Sequence, residues 1–211
     1  MICGSCLKKL PLVSVPFCEK CGKPVPKGER LCHDCEAVEH AFTAGMGIFV
    51  YDEIMRKSMH KFKYLGRREY GQFYGTAAWV YGKERLKKWG IQVIVPVPVH
   101  SSRKRARGYN QAEVISNVLG RYMQVPVAAD VLKRCTKTAA QKDLSVEERR
   151  KNLEHAFSVT GISFPWKRVL LVDDIYTTGS TADSAALELK KYGIQEIYVL
   201  SICIGRGFVL Q

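Results

Sequence analysis

Nowhere in these 211 residues does an apolar run approach the roughly eighteen positions that a membrane-spanning helix requires. The opening residues, MICGSCLKKL, hold no apolar leader core and no small-residue cleavage site, so a cytoplasmic chain without membrane insertion is expected. Internal repeats and low-complexity tracts are missing as well, which argues against fibrous or disordered classes. Acidic residues are the scarce charge: 20 Asp and Glu stand against 33 Lys and Arg, a formal net charge of +13. What is present, 46% hydrophobic and 25% charged residues, suits one sizeable α/β core with a small appendage.

The positive excess is local. Residues 45–110 carry fourteen Lys or Arg against four Asp or Glu, whereas residues 1–44 and 111–211 are close to balanced. Clusters such as MRKSMHKFKYLGRRE and SSRKRARGYN attract polyanions, phosphates or nucleic acid, in a salt-dependent way. A solvated, solubilising surface is the plainer alternative.

Six of the eight cysteines form CxxC pairs: Cys3/Cys6, Cys18/Cys21 and Cys32/Cys35. Each pair sets two thiolates on one tight knuckle, and two knuckles complete a tetrahedral zinc shell. CEKCGKPVPKGERLCHDC supplies two knuckles ten residues apart, so Cys18, Cys21, Cys32 and Cys35 are read as ligands of a structural Zn²⁺. So short a stretch buries little apolar surface, and metal would supply much of its folding free energy. Disulfides are disfavoured in a cytoplasmic chain, and no βαβ pattern follows the pairs as a redox site would need. Cys3 and Cys6 stay open: a competing shell, free thiols, or zinc shared with another chain. Cys135 and Cys203 read as buried small hydrophobes, and His33 as exposed.

The expected organisation is a zinc-ribbon domain over 1–42 and a larger domain over 43–211. In the latter, AGMGIFVY, IQVIVPVPV, VLKRC, RVLLVD and EIYVLSICI read as strands. DEIMRKSMHKFKYL reads as a helix capped by Asp52, and QAEVISNVLGRYM as one opened by an Asn110–Glu113 capping box. REYGQFYGTAAWVYGKERLKKW reads as a helix despite its glycines, and Ser145–Glu148 opens another over VEERRKNL. This alternation predicts an α/β fold: a mostly parallel sheet with helices on both faces.

Ligands of such sheets bind beyond the carboxyl ends of the strands. VLLVDDIYTTGST, residues 169–181, occupies that place, between a strand and a helix starting near Ser180. Thr177, Thr178, Gly179, Ser180 and Thr181 let backbone wrap an anion at a helix N-terminus. Asp173 and Asp174, just upstream, can accept hydrogen bonds from a diol or help hold Mg²⁺. Together these describe a ribose 5-phosphate site. The alternative is an acidic turn with Thr181 as helix cap.

The same segment resembles the 5-phosphoribosyl 1-pyrophosphate (PRPP) signature of type I phosphoribosyltransferases. With HKFKYLG, VPVPVHSSRKRARGYNQA and TAAQKDLSVEERRKNLEHAF in order behind the CxxC knuckles, nearly the whole chain resembles the ComF family. That family usually carries a further upstream CxxC and two ribbons, and Cys3 here matches the second half of the first. The resemblance implies the type I phosphoribosyltransferase fold, with Asp173 and Asp174 as catalytic and PRPP-binding residues and Mg²⁺ arriving with PRPP. It implies a pyrophosphate loop of His100, Ser101, Arg103, Arg105 and Arg107, whose guanidinium groups suit a multiply charged leaving group. It also implies a hood over 134–153 with Gln141, Arg149, Arg150 and Asn152.

Two functional readings follow. One is transfer of a phosphoribosyl group from PRPP, with release of pyrophosphate, to an unidentified acceptor. The other, implied by the association of the ComF family with DNA uptake in natural transformation, is a non-catalytic accessory protein. It would handle single-stranded DNA alongside competence-machinery partners and keep PRPP as a regulatory ligand. Lys61, Lys63, Arg67 and Arg68 are its nucleic-acid candidates, with Phe62, Tyr64, Tyr70, Phe73, Tyr74 and Tyr109 as stacking surfaces or core.

Overall fold

The computed structural model describes residues 3–135, 156–161 and 164–206. Two short helical turns, α1 (Gly4–Leu7) and α2 (His33–Ala37), lie in the cysteine-rich segment. The larger part follows as β1 (Ala44–Val50), α3 (Glu53–Tyr64), α4 (Tyr70–Trp89), β2 (Val93–Pro96), α5 (Ser101–Arg107) and α6 (Gln111–Met123). It continues with β3 (Leu132–Arg134), β4 (Phe157–Val159), β5 (Arg168–Tyr176), α7 (Ser180–Lys190) and β6 (Glu196–Ile204).

Four strands form a parallel sheet in the order β1-β6-β5-β2, and β3 and β4 pair antiparallel beside it. The apolar run in β5 is explained by its central place: Val169, Leu170, Leu171 and Val172 are all fully buried between two layers. One layer holds Met55, Met59 and Phe62 of α3 with residues of α4 and α6. The other holds Ala182, Ala185, Ala186 and Leu189 of α7, together with Cys18, Cys21, Val25 and Cys32. The cysteine-rich segment is therefore one of the layers that cover the sheet. Gly22 sits at φ +84°, where a Cβ would come within 2.7 Å of the Met46 Cα, so ribbon and β1 touch backbone to backbone.

Both sheet edges are covered. Val13 donates to Ile48 (3.0 Å) on the outer side of β1, and Ala128 donates to Ile94 (2.8 Å) on the outer side of β2. Asp52 caps α3 by accepting from Met55 N–H (2.9 Å), as expected. Asn110 caps α6 through Ala112 N–H (3.2 Å), but Glu113 pairs with Lys104 (3.3 Å) instead of closing the capping box. β5 runs three residues past the expected strand end, through both aspartates to Tyr176. Cys203 is buried as expected, whereas Cys135, just past β3, is exposed. A three-residue strand at the margin offers no layer to bury it. Among the described residues, no helix is long and apolar enough to cross a membrane.

The glycines of α4 mark a close helix crossing. A Cβ at Gly71 would lie 2.4 Å from Val114 Cγ1, and one at Gly75 would lie 2.5 Å from Val118 Cβ and 3.0 Å from the Ile115 carbonyl. Spaced four apart, they let α6 approach at one face. Gly75→Ala gains helix propensity of about 1 kcal/mol, yet overpacking of about 1–3 kcal/mol should exceed it. A lower urea midpoint is expected for Gly75→Ala, partly restored by adding Val118→Ala. A midpoint at or above wild type would show that the crossing has slack.

Candidate functional site

The cysteine cluster is the first candidate. The Sγ atoms of Cys18, Cys21, Cys32 and Cys35 all lie within 4.8 Å of one another, with Cys21 and Cys32 3.6 Å apart. Four thiolates at about 2.3 Å from a tetrahedral zinc would stand about 3.8 Å from each other, so the donor set fits that ion. Packed side by side, the sulfurs shift one another first and in opposite directions, Cys18 and Cys32 down and Cys21 and Cys35 up. The backbone N–H groups of Cys21, Lys23 and Cys35 favour the charged form at Cys18, Cys21 and Cys32. His33 points away, its side chain 74% exposed. Cys3, just before α1, and Cys6, on it, are exposed, and among the described residues they join no metal-holding group.

The second candidate is a cleft of about 380 Å³ at the carboxyl ends of β5 and β2. Its floor is the acidic pair. Along β1, β6 and β5 the pairing skips one row, at Ile48, Ile202 and Asp174. Beyond it Phe49, Cys203 and Ile175 stay on the α3 side, and Tyr176 and Ile204 turn to the ribbon side. Asp174, only 9% exposed, meets Lys63 of α3, whose Nζ lies 2.7 Å from Oδ1. Burial works against the Lys63 charge, but the Asp174 carboxylate, with Asp173 behind it, outweighs burial and holds the ammonium above its ordinary pKa. Asp173 accepts from the Asp174 N–H (2.7 Å). Burial, reinforced by the Asp174 charge, pushes its carboxyl up to about 7, with Lys63 and Arg134 opposing.

On one wall, Thr177, Thr178, Gly179 and Thr181 line the cleft at the start of α7. Gly179 takes φ +87° as the residue preceding the helix, so Thr181 lies inside the first turn and not at its cap. Ser180 ties back to Thr178, hydroxyl to hydroxyl at 2.8 Å. Gly179, Thr181 and Ala182, where a helix start leaves backbone N–H groups without intrahelical acceptors, all line the cleft, the kind of place an anion site uses.

The opposite wall departs from the expected loop, because residues 101–107 coil into α5. Four-residue spacing sets Arg103 and Arg107 on one helix face, and both line the cleft. Arg105 falls on another face and is exposed. His100 spends its ring capping α5, its Nδ1 accepting from Ser102 N–H (3.3 Å), and neither it nor Ser101 lines the cleft. Asn110 fixes this wall by donating to the Val97 carbonyl (3.1 Å) where β2 ends.

Of the nucleic-acid candidates, Lys61, Arg67 and Arg68 are exposed, but Lys63 is turned inward to Asp174. A charge one residue before the end of an amphipathic helix can face either way, and here the buried acid draws it in. Tyr64 is 61% exposed on the cleft rim with Arg107 over its ring at 4.8 Å, whereas Phe62, Tyr74 and Tyr109 are core. Gln141, Arg149, Arg150 and Asn152 lie outside the described residues, as does the expected Ser145–Glu148 box. Reading the sequence for motifs missed Arg134, which lines the cleft from β3; its one signal was its place at the start of the polar segment.

A family model described as a double zinc ribbon domain matches residues 1–36. Over 203 residues the chain is 32% identical to Competence protein F of Haemophilus influenzae, covering 94% of this chain and 88% of that protein. It is 27% identical to Competence protein ComFC of Bacillus subtilis, covering 91% and 79% of the two chains. It is also 25% identical to DNA utilization protein YhgH of Escherichia coli K12, covering 96% and 89%.

The acidic floor yields a stability test. Asp173 keeps its proton in the folded chain from 3.8 up to about 7, so its contribution to stability is full below that window and lost as pH rises through it. Asp173→Asn has no such loss. Its urea midpoint should gain on wild type between about pH 4 and pH 7 and hold a constant lead above. Parallel pH profiles would show that the carboxyl titrates normally.

Proposed function

The chain belongs to the ComF family, and from that premise we propose that the cleft binds PRPP and transfers its phosphoribosyl group with release of pyrophosphate. One observation carries this reading: an acidic pair, a hydroxyl-rich loop at a helix start, and two same-face arginines converge on one cleft. The 5-phosphate sits against Thr177–Thr181 and the α7 N-terminus, and the ribose diol on Asp173 and Asp174. Arg103 and Arg107, with Arg134 nearby, meet the pyrophosphate.

Breaking the C1–oxygen bond leaves cationic character on the sugar and negative charge on pyrophosphate. By holding both ends, the chain orients C1 toward an acceptor, while the arginines stabilise the departing charge. No side chain acts as a covalent nucleophile. The two carboxylates are hard oxygen donors of the kind Mg²⁺ uses, and Asp173 and Asp174 are the residues that would hold it. When bound with the diphosphate, that ion supplies further neutralisation of the leaving group. Asp174 must then exchange Lys63 for the ligand, which frees an ammonium inside the cleft.

Calorimetry with Mg²⁺–PRPP should show binding, and pyrophosphate release should appear with one acceptor among nucleobases and ammonia. Asp173→Asn/Asp174→Asn should weaken binding by about tenfold or more, the loss of at least one charged hydrogen bond. A wild-type chain that gives no heat with PRPP would overturn the proposal.

The relatives are named for competence and for DNA utilization, and the setting we propose on that ground is DNA uptake with competence-machinery partners. A second reading is supported by the exposed Tyr64 among Lys61, Arg67 and Arg68 at the cleft rim, a stacking residue among cations. Single-stranded oligonucleotides should bind with strong salt dependence. Lys61→Glu/Arg67→Glu should lower the log–log salt slope by about 0.7 for each phosphate contact removed. Lys63 is left intact in this test because its charge is internal. An absence of affinity at low salt would sink the second reading.

A further inference from the structure

Asp183 raises a difficulty for any anion at α7. It is an acidic residue in the first turn of the helix whose N-terminus is proposed to take the 5-phosphate. A carboxylate free to face the cleft would repel that ligand. Both its oxygens are instead engaged on the far side. His40 Nδ1 lies 2.7 Å from Oδ2, and the Ala41 N–H donates to Oδ1 (2.8 Å). His40 comes from 143 residues earlier in the chain, and its side chain is 1% exposed. It stacks on Phe42, with ring centroids 4.8 Å apart, and its Nε2 lies 3.5 Å from the Tyr176 hydroxyl. A Cβ on Gly179 would lie 2.7 Å from His40 Cε1 and 2.5 Å from that hydroxyl. The phosphate loop thus rests directly on His40 and Tyr176.

Tyr176 also faces the ribbon. Lys23 Nζ stands over its ring at 5.8 Å and forms an ion pair with Asp34, and Lys23 is only 3% exposed. Asp34 lies between Cys32 and Cys35 on the second knuckle. An unbroken series of contacts therefore runs from the sulfur cluster through Asp34, Lys23, Tyr176 and His40 to Gly179 and Asp183. None of these links lines the cleft except Tyr176 and Gly179.

We infer that His40 is a positioning residue that locks the first turn of α7 and aims Asp183 away from the anion, so that zinc in the ribbon sets the phosphate affinity of the cleft. This rests on the reading of residues 177–181 as a 5-phosphate site. With the metal gone the second knuckle no longer fixes Asp34. Lys23 then loses its partner, and the support under Tyr176 and His40 slackens. Phosphate affinity falls, while pyrophosphate, held across the cleft by Arg103 and Arg107, is unaffected.

The test uses the full zinc-loaded chain, calorimetry with ribose 5-phosphate and with pyrophosphate, and hydrogen exchange at residues 179–183. His40→Phe keeps the ring stack and removes both polar contacts. It should weaken ribose 5-phosphate by about tenfold or more, speed exchange at 180–183 similarly, and leave pyrophosphate within about twofold. His40→Asn, which can still donate to Asp183, should recover a substantial part of both losses. Chelating zinc from wild type should reproduce the His40→Phe losses and add little to them in the variant. Lys23→Met, which cuts the chain at the ribbon, should make ribose 5-phosphate affinity insensitive to zinc removal. Unchanged exchange in His40→Phe, or equal sensitivity to zinc in wild type and Lys23→Met, would overturn the inference. If wild type binds no ribose 5-phosphate, the reading of the loop falls, and the exchange measurements still decide the latch.

Discussion

Two carboxylates side by side at the inner end of a buried parallel strand cannot both stay ionised unless cations are brought to them. Much of the architecture around the cleft answers that constraint. Lys63 reaches Asp174 from the last turn of α3, and the same helix anchors itself by seating Met55, Met59 and Phe62 in the core. Tyr109, at the far end of the arginine-bearing segment, donates to the Phe62 carbonyl, so α3 and the α5 wall are joined beside the acidic pair. Arg134 approaches Asp173 from β3 at a cost in burial that lowers its own pKa. The floor is thereby left with one carboxylate neutralised by a lysine and one poised near neutrality, a polarised arrangement that an incoming cationic or hydroxylated ligand can reorganise.

The ribbon is tied to the same centre from the other side. In a doubly covered parallel sheet each face needs an apolar layer. Here α7 covers part of one face with small residues, Ala182, Ala185 and Ala186, and the cysteine knuckles with Val25 and Phe42 join the same buried cluster. Lys20 donates to the Phe42 carbonyl and Arg85 to the Gly45 carbonyl, so chain leaving the ribbon is held where it enters β1. A unit too small to keep a core of its own shares that of its neighbour.

Much of the frame was legible in local pattern. The apolar runs of β2, β5 and β6, the Asp52 and Asn110 caps and the four CxxC sulfurs depend on neighbours in sequence, and the chain places them as their spacing suggests. Less legible were features set by distant partners. The glycines of α4 only count against the helix read there until Val114 and Val118 of α6 account for them. The arginine-rich stretch reads as a loop until α5 sorts Arg103 and Arg107 from Arg105. Lys63 reads as one more surface cation until a buried carboxylate claims it.

What the sequence determined by itself is the inventory and its order: strand, acidic pair, hydroxyl–glycine loop, helix, and knuckles at metal spacing. These are short-range matters of periodicity, capping and backbone freedom. Only the tertiary structure decided which charges meet. His40 and Asp183, or Lys63 and Asp174, are separated by more than a hundred residues, and no local preference encodes their pairing. They are brought together because burying β5 on both faces forces α3 and the ribbon to converge on its end, and a buried charge accepts the nearest partner that packing supplies.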